Sequence, residues 1–167
     1  YFNAHKNLTA DVGQVMFAET TSMTGDGPLG YFLHKVTGRI WFSGDTELEA
    51  GCGIVPITYK DKSRVHGLQW AIGLEWYLLV EDPWRVAMST DHPNGSSFLA
   101  YPEIIALLMD RTRREEVLKR LHPRVKEGCL LPDLQPEYTL NQIAIHPLWA
   151  PATILGLGAK GTLGAGR

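Results

Sequence analysis

The stretch Trp84-Arg-Val-Ala-Met-Ser-Thr90, followed at once by Asp91-His92-Pro93-Asn94-Gly95, decides how this chain is read. Its first part is compact and apolar enough for a buried strand. Its second part cannot prolong that strand, because Pro93 has no amide to donate and the Asn-Gly pair favours a turn. A strand that stops in a polar turn suits a parallel α/β unit, where ligands meet the loops at the carboxyl ends of the strands.

Working outward, Asp11-Val-Gly-Gln-Val-Met-Phe17 alternates and reads as a second strand. The polar run Glu19–Pro28 reads as a loop, and Leu29–Val36 as a short helix. Arg39–Ser43 and Gly53–Tyr59 read as two short strands around the acidic turn Gly44–Gly51. Ser63 is placed to cap a helix that reaches about Val80. Val65, Leu68, Ile72, Trp76 and Leu79 fall on one face of it, with Glu75 among them. A carboxylate on a buried face needs a partner. Downstream, Pro102 suits the first turn of a helix ending near Met109. Thr112-Arg-Arg-Glu115 and Thr139-Leu-Asn-Gln142 have the capping-box pattern, and Pro147 should limit or kink the last helix.

Composition narrows the class. The chain has 167 residues, 44% hydrophobic and 20% charged, with a formal charge of −2. That is ordinary globular usage, so the whole is not disordered, and the length suits one domain. Near-neutral charge removes the electrostatic case for nucleic acid. No apolar run approaches the ~18–20 residues that span a bilayer, so no membrane partner is expected. Cys52 and Cys129 cannot make a disulfide scaffold or a four-cysteine zinc site.

Two expected strand ends are polar: Glu19-Thr20-Thr21 and Asp91-His92-Pro93-Asn94. The second is the sharper. A carboxylate beside an imidazole and a carboxamide at a rigid strand end could bind a metal or move a proton. Turn residues bonding their own backbone would leave the same pattern. No His-x-His, His-Glu-x-x-His or Cys-x-x-Cys is present, so the chain does not spell out a complete metal site. The other five histidines, His5, His34, His66, His122 and His146, read as surface or satisfied structural residues. Gly156-x-Gly158-x-x-Gly161 matches the dinucleotide fingerprint by letter but follows a helical stretch rather than a strand. The basic residues from Arg111 to Lys126 are interleaved with Glu115, Glu116 and Glu127, as on a solvated helix surface.

Longer strings carry a family resemblance. Asp11-Val-Gly-Gln-Val15, Gly53-Ile-Val-Pro56, Gln69-Trp-Ala-Ile-Gly-Leu-Glu75, Asp82-Pro-Trp-Arg-Val86, Thr90-Asp-His-Pro-Asn-Gly95 and Tyr101-Pro102 occur in that order. Together they resemble the alpha subunit of the formylmethanofuran dehydrogenases, a type shared with bacterial formyltransferase/hydrolase complexes, within the amidohydrolase superfamily. The closing Lys160-Gly-Thr-Leu-Gly164 is similar to the amidohydrolase C-terminal signature. The resemblance implies an α/β fold, the C-terminal portion of a metal-dependent (β/α)8 barrel, incomplete here because a whole barrel takes ~250 residues. Residues 1–155 would hold late strands and helices, with an insertion near 39–59. Residues 156–167 would begin the crossover to a β-sandwich. The start at Tyr1 and the stop in a Gly-rich run fit that expectation.

The implied reaction interconverts formylmethanofuran with formate and methanofuran, breaking or making a formamide C–N bond. The implied cofactor is a binuclear zinc centre whose histidines and carboxylated lysine lie upstream. Asp91 maps onto the aspartate at the end of the last barrel strand, as metal ligand and general base. His92 and Asn94 would be substrate-facing. The implied partners are a methanofuran-type carrier and the other subunits of a cytoplasmic complex. Two alternatives share much of this reading: another C–N hydrolase of the cyclic amidase type, or a non-catalytic assembly component, using aromatics such as Trp41, Phe42 and Tyr59 for contacts. Ile145-His-Pro-Leu148 departs from the family by its proline. The isolated piece is expected to be inactive and aggregation-prone.

Overall fold

The computed structural model describes residues 1–23, 27–38 and 54–162. The expected strand at Arg39–Ser43, the acidic turn, Trp41, Phe42, Cys52 and Gly164–Arg167 lie outside them.

Among the described residues the fold is mixed α/β. Strand β1, Ala10–Gly13, pairs in parallel with β4, Val86–Ser89, in the register Ala10↔Val86 to Gly13↔Ser89. Helix α2, Arg64–Leu79, lies between them in sequence and packs on them, which is the strand–helix–strand grammar expected from the sequence. Ser63 caps α2 as read, accepting from the His66 amide. Both strands are shorter than expected. Gln14 leaves the regular ladder, yet its amide still donates to the Ser89 carbonyl at 2.9 Å. Pro83–Arg85 forms a 3-10 turn ahead of β4, with Asp82 as its cap. The Arg85 guanidinium then ties the N-terminal segment down, donating to the carbonyls of His5 at 3.0 Å and Leu8 at 2.9 Å.

The expected loop at Glu19–Pro28 is instead a strand followed by a helix. Glu19–Met23 is β2, and it pairs antiparallel with β3, Ile54–Thr58, in the register Glu19↔Thr58 to Met23↔Ile54. Its polarity suggested a loop, but Thr is β-branched and suits an exposed two-stranded ribbon. Gly27–Thr37 forms α1.

The apolar face read for α2 is the wrong one for the core. Ile72, Trp76 and Leu79 are 47%, 36% and 41% exposed, whereas Trp70, Leu74 and Tyr77 are fully buried. The reason lies in the small residues. Gly73 lets β1 approach so closely that a Cβ there would sit 2.3 Å from Gln14 Oε1. Glu75 therefore does not enter the core. It accepts the amides of Leu130 and Leu131, the latter at 3.0 Å, and so caps the turn Leu131–Asp133.

Helix α3, Tyr101–Met109, starts with Pro102 in its first turn, as expected, and adds Ile104, Leu107 and Leu108 to the core. Helix α4, Arg111–Arg120, starts earlier than the capping-box pattern suggested. Its cap is Asp110, accepting from the Arg113 amide, and not Thr112. Arg114 is also not on a solvated face. It is buried, and it donates to the carbonyls of Leu107 at 2.8 Å and Pro136 at 2.7 Å. The capping box at Thr139 and Gln142 forms in full and opens α5, Leu140–Ala144. Pro147 does not end the helical path. A π-helical turn, Ile145–Trp149, absorbs the missing amide, and α6, Ala150–Ile154, continues.

A candidate active site at the ends of β1, β2 and β4

Strands β1 and β4 run side by side and end together, so Gly13 and the residues after Ser89 share one edge. Asp91 follows two residues beyond that edge, with φ of 50°. A non-glycine residue in the left-handed region is strained and is held there only when its surroundings over-determine it. Several contacts do so. The Asp91 amide donates to Ser89 Oγ at 2.9 Å, and the Asp91 carbonyl accepts from the Asn94 amide at 2.5 Å. The Ser96 amide donates to the Thr90 carbonyl at 2.9 Å, and Ser96 Oγ reaches back to the Gln14 carbonyl at 3.0 Å. Gly13 completes the seat. A Cβ on it would lie 2.6 Å from the Asp91 Cβ, so this strand end must be glycine for the aspartate to sit where it does.

The two polar strand ends singled out in the sequence meet here. The Thr21 amide donates to the Pro93 carbonyl at 3.1 Å, and Thr21 Oγ1 donates to Asn94 Oδ1 at 3.1 Å. Thr20 Oγ1 donates to the Asn94 carbonyl at 2.8 Å and lies against the Pro93 carbonyl. His92 sits edge-on to Phe98, with ring centroids 5.0 Å apart, and is exposed. A cleft of about 480 Å³ opens beside the turn, lined by Glu19, Thr20, Thr21, Ile57, His92 and Ser97. Asp91 is exposed, His92 lines the cleft, and Asn94 is half-buried with its side-chain oxygen taken by Thr21.

Tyr59, at the exit of β3, is the member that sequence reasoning placed elsewhere. Its amide donates to the Ala18 carbonyl at 3.1 Å, and its ring packs edge-on against His66. Burial pushes its hydroxyl above the usual tyrosine range, and the charge of Asp91 adds to that rise. The phenol is therefore buried rather than an exposed docking aromatic, and it lies within the field of the candidate carboxylate. No local sequence pattern signals it, because the approach depends on how β2 and β3 pair.

A binuclear metal site needs several donors. Among the described residues no group of three or more His, Cys, Asp or Glu side chains comes together. Asp91 offers one hard oxygen donor at an accessible strand end, so these residues fit a metal as a single ligand and could not hold one alone. The remaining histidines match their expected structural roles where the contacts are seen. His66 Nδ1 accepts from the Lys60 amide at 3.0 Å. His146 is fully buried, with Nδ1 2.7 Å from the Val86 carbonyl and Nε2 3.0 Å from the Tyr138 hydroxyl. The glycine fingerprint also reads as expected. Gly156, with φ of 71°, follows α6 as a helix terminator and opens no helix.

Known proteins give this geometry a context. The chain is 43% identical over 168 residues to protein FwdA of Methanocaldococcus jannaschii, covering 99% of this chain and 30% of that protein. It is 40% identical over 171 residues to the alpha subunit of the formyltransferase/hydrolase complex Fhc of Methylorubrum extorquens, covering 98% and 30%. The crystal structure of that organism's FhcABCD complex with methylofuran matches with a TM-score of 0.79 and 40% identity, over 98% of this chain and 30% of that one. The chain thus spans about a third of the length of these relatives. The amidohydrolase family matches across residues 1–167, end to end, and the chain belongs to that family.

Proposed function

We propose that this chain is the late part of the (β/α)8 barrel of a metal-dependent formamide hydrolase, and that Asp91 is its catalytic carboxylate. In this reading residues 1–155 carry late barrel strands and helices, interrupted by an insertion near 39–59, and residues 156–167 lead toward a β-sandwich. The observation that carries the reading is the seating of Asp91 at the joint end of two parallel strands, in a strained backbone conformation, against a glycine. Amidohydrolase membership and the likeness to FwdA and to the Fhc alpha subunit support the reaction class.

The chemistry follows from the placement. Asp91 would serve as one ligand of a zinc centre whose other donors come from outside the described residues. Such a centre, when bound, polarises a formyl oxygen and lowers the pKa of water. The Asp91 carboxylate takes the proton from the attacking water and returns it to the departing amine nitrogen, so the C–N bond breaks with formate and the free amine as products. His92 lines the cleft, Asn94 stands beside it, and both would contact the formylated carrier. The substrate class is a methanofuran-type carrier, consistent with the methylofuran in the related complex. The partners are the other subunits of a cytoplasmic complex of the Fhc kind.

The test is Asp91→Asn in the full-length protein. Hydrolysis of the formylated carrier should fall by a factor of about 100 or more, the usual worth of a positioned general base. Activity within a few-fold of wild type, with zinc content unchanged, would show that Asp91 is not the base. Turnover of cyclic amides in place of formamides would favour the cyclic amidase reading.

A further inference from the structure

We infer that β2 is a brace for the Asp91 turn, and that Thr21, assisted by Thr20, is a positioning residue for the carboxylate. This rests on the reading of Asp91 as the catalytic group. The turn from Thr90 to Ser96 is held from two sides. On one side stand β4 and the end of β1, through Ser89, Gly13 and Gln14. On the other stands β2, which belongs to the antiparallel ribbon and not to the parallel pair.

The bonds from β2 fall on the part of the turn that fixes Asp91. Asn94 closes the turn by donating its amide to the Asp91 carbonyl at 2.5 Å. Thr21 grips both neighbours of that closure, its amide on the Pro93 carbonyl and its hydroxyl on Asn94 Oδ1. Thr20 holds the Asn94 carbonyl at 2.8 Å. Three donors from two adjacent residues thus converge on Pro93 and Asn94. Loops satisfy most of their polar groups with water or locally, so this convergence from a separate strand is a specific device. Asp91 has a reason to need it. Its φ of 50° is strained, and a turn released on one side would relax toward ordinary dihedrals and swing the carboxylate away. Neighbouring strands position Thr21, since it pairs with Pro56 of β3 in register. The ribbon therefore acts on the reaction through the turn, without touching substrate.

The experiment compares Thr21→Val and Thr21→Ser in the full-length protein with the formylated carrier as substrate. T21V keeps the shape and removes the hydroxyl. It should lower kcat by about 10-fold or more with KM nearly unchanged, since small misplacements of a reacting group are costly. T21S keeps the hydroxyl and should recover kcat to within about two-fold of wild type. Should T21V lower the melting temperature markedly, T21A and T21S make the same comparison at lower temperature. The decisive arm is the double variant. If Thr21 works through Asp91, T21V adds nothing to the loss in Asp91→Asn. A further loss in the double variant, or wild-type kcat in T21V, would overturn the brace while leaving Asp91 as the base. Wild-type activity in Asp91→Asn would overturn the functional reading itself and the brace with it.

Discussion

Asp91 and Gly13 form one unit, although they are far apart in the chain. The aspartate occupies a left-handed backbone position that costs on the order of 1–3 kcal/mol, and the glycine supplies the space in which it sits. A Gly13→Ala change would force a methyl within 2.6 Å of the Asp91 Cβ. The strand backbone cannot yield easily, so the aspartate moves. The expected destabilisation is about 1–3 kcal/mol, as for other overpacked sites. The formamide hydrolysis rate should fall with it, even though Gly13 has no side chain to contribute. Thermal melts and kcat of the full-length G13A protein measure both effects. Unchanged melting and turnover would mean that the close approach of β1 to the turn is not maintained. The aspartate was legible in the sequence because its turn residues stand out at a strand end. Its glycine neighbour was not, because contact between residues 13 and 91 requires the parallel register.

The elements show where local signals suffice and where they compete. Ser63, Pro102 and the Thr139–Gln142 box act within a few residues, and each starts its helix as read. The pattern Thr112-Arg-Arg-Glu115 has the same form but lost to Asp110, an equally good cap just upstream. Asp110→Ala should cost about 1 kcal/mol, whereas Thr112→Ala should be close to neutral. Paired melting curves decide between them, and the reverse order of stabilities would restore Thr112 as the cap. Helix α2 gives the opposite lesson. Hydrophobicity alone favours the Ile72, Trp76 and Leu79 face, but packing chose the face with glycines. Close approach of the strands outweighs the transfer free energy of a few larger side chains when the latter meet no facing surface. Arg114 was unreadable for a related reason, since only the turn between α3 and α4 brings unpaired carbonyls to it.

At the scale of the molecule, His146 joins the C-terminal helices to the strand that carries the site. Its imidazole lies between the Val86 carbonyl and the Tyr138 hydroxyl, with Tyr77 edge-on. Burial holds it below the usual histidine range, although the bond to Val86 partly offsets this. It therefore stays neutral when folded, while an unfolded histidine protonates near pH ~6.5. Stability is complete above that pH and declines as the pH falls through it, because the unfolded state takes up a proton that the folded state refuses. Urea midpoints of the full-length protein should drop from about pH 7.5 to about pH 5.5, and His146→Gln should flatten that slope while lowering stability overall. Equal slopes would place the acid sensitivity elsewhere. The described residues also expose Phe32, Val36, Ile72, Leu79 and Trp84, and β1 and β4 form only a pair. Unpaired edges and open apolar faces favour association. The isolated chain should bind hydrophobic dyes and lack a sharp melt, and a cooperative monomeric transition would contradict that.

The sequence by itself determined the strand–helix–strand order, the caps that start most helices, the polar strand ends and the aspartate among them. These are local properties, set by backbone chemistry within a turn or two. It also carried the family, through strings whose side chains recur together. The tertiary structure alone decided which face of α2 is buried, that Glu19–Met23 is a strand, that Tyr59 lies in the field of Asp91 and that Thr20 and Thr21 grip its turn. Each of those depends on contacts between residues distant in the chain, and their free energies arise only when the pairing register brings them together.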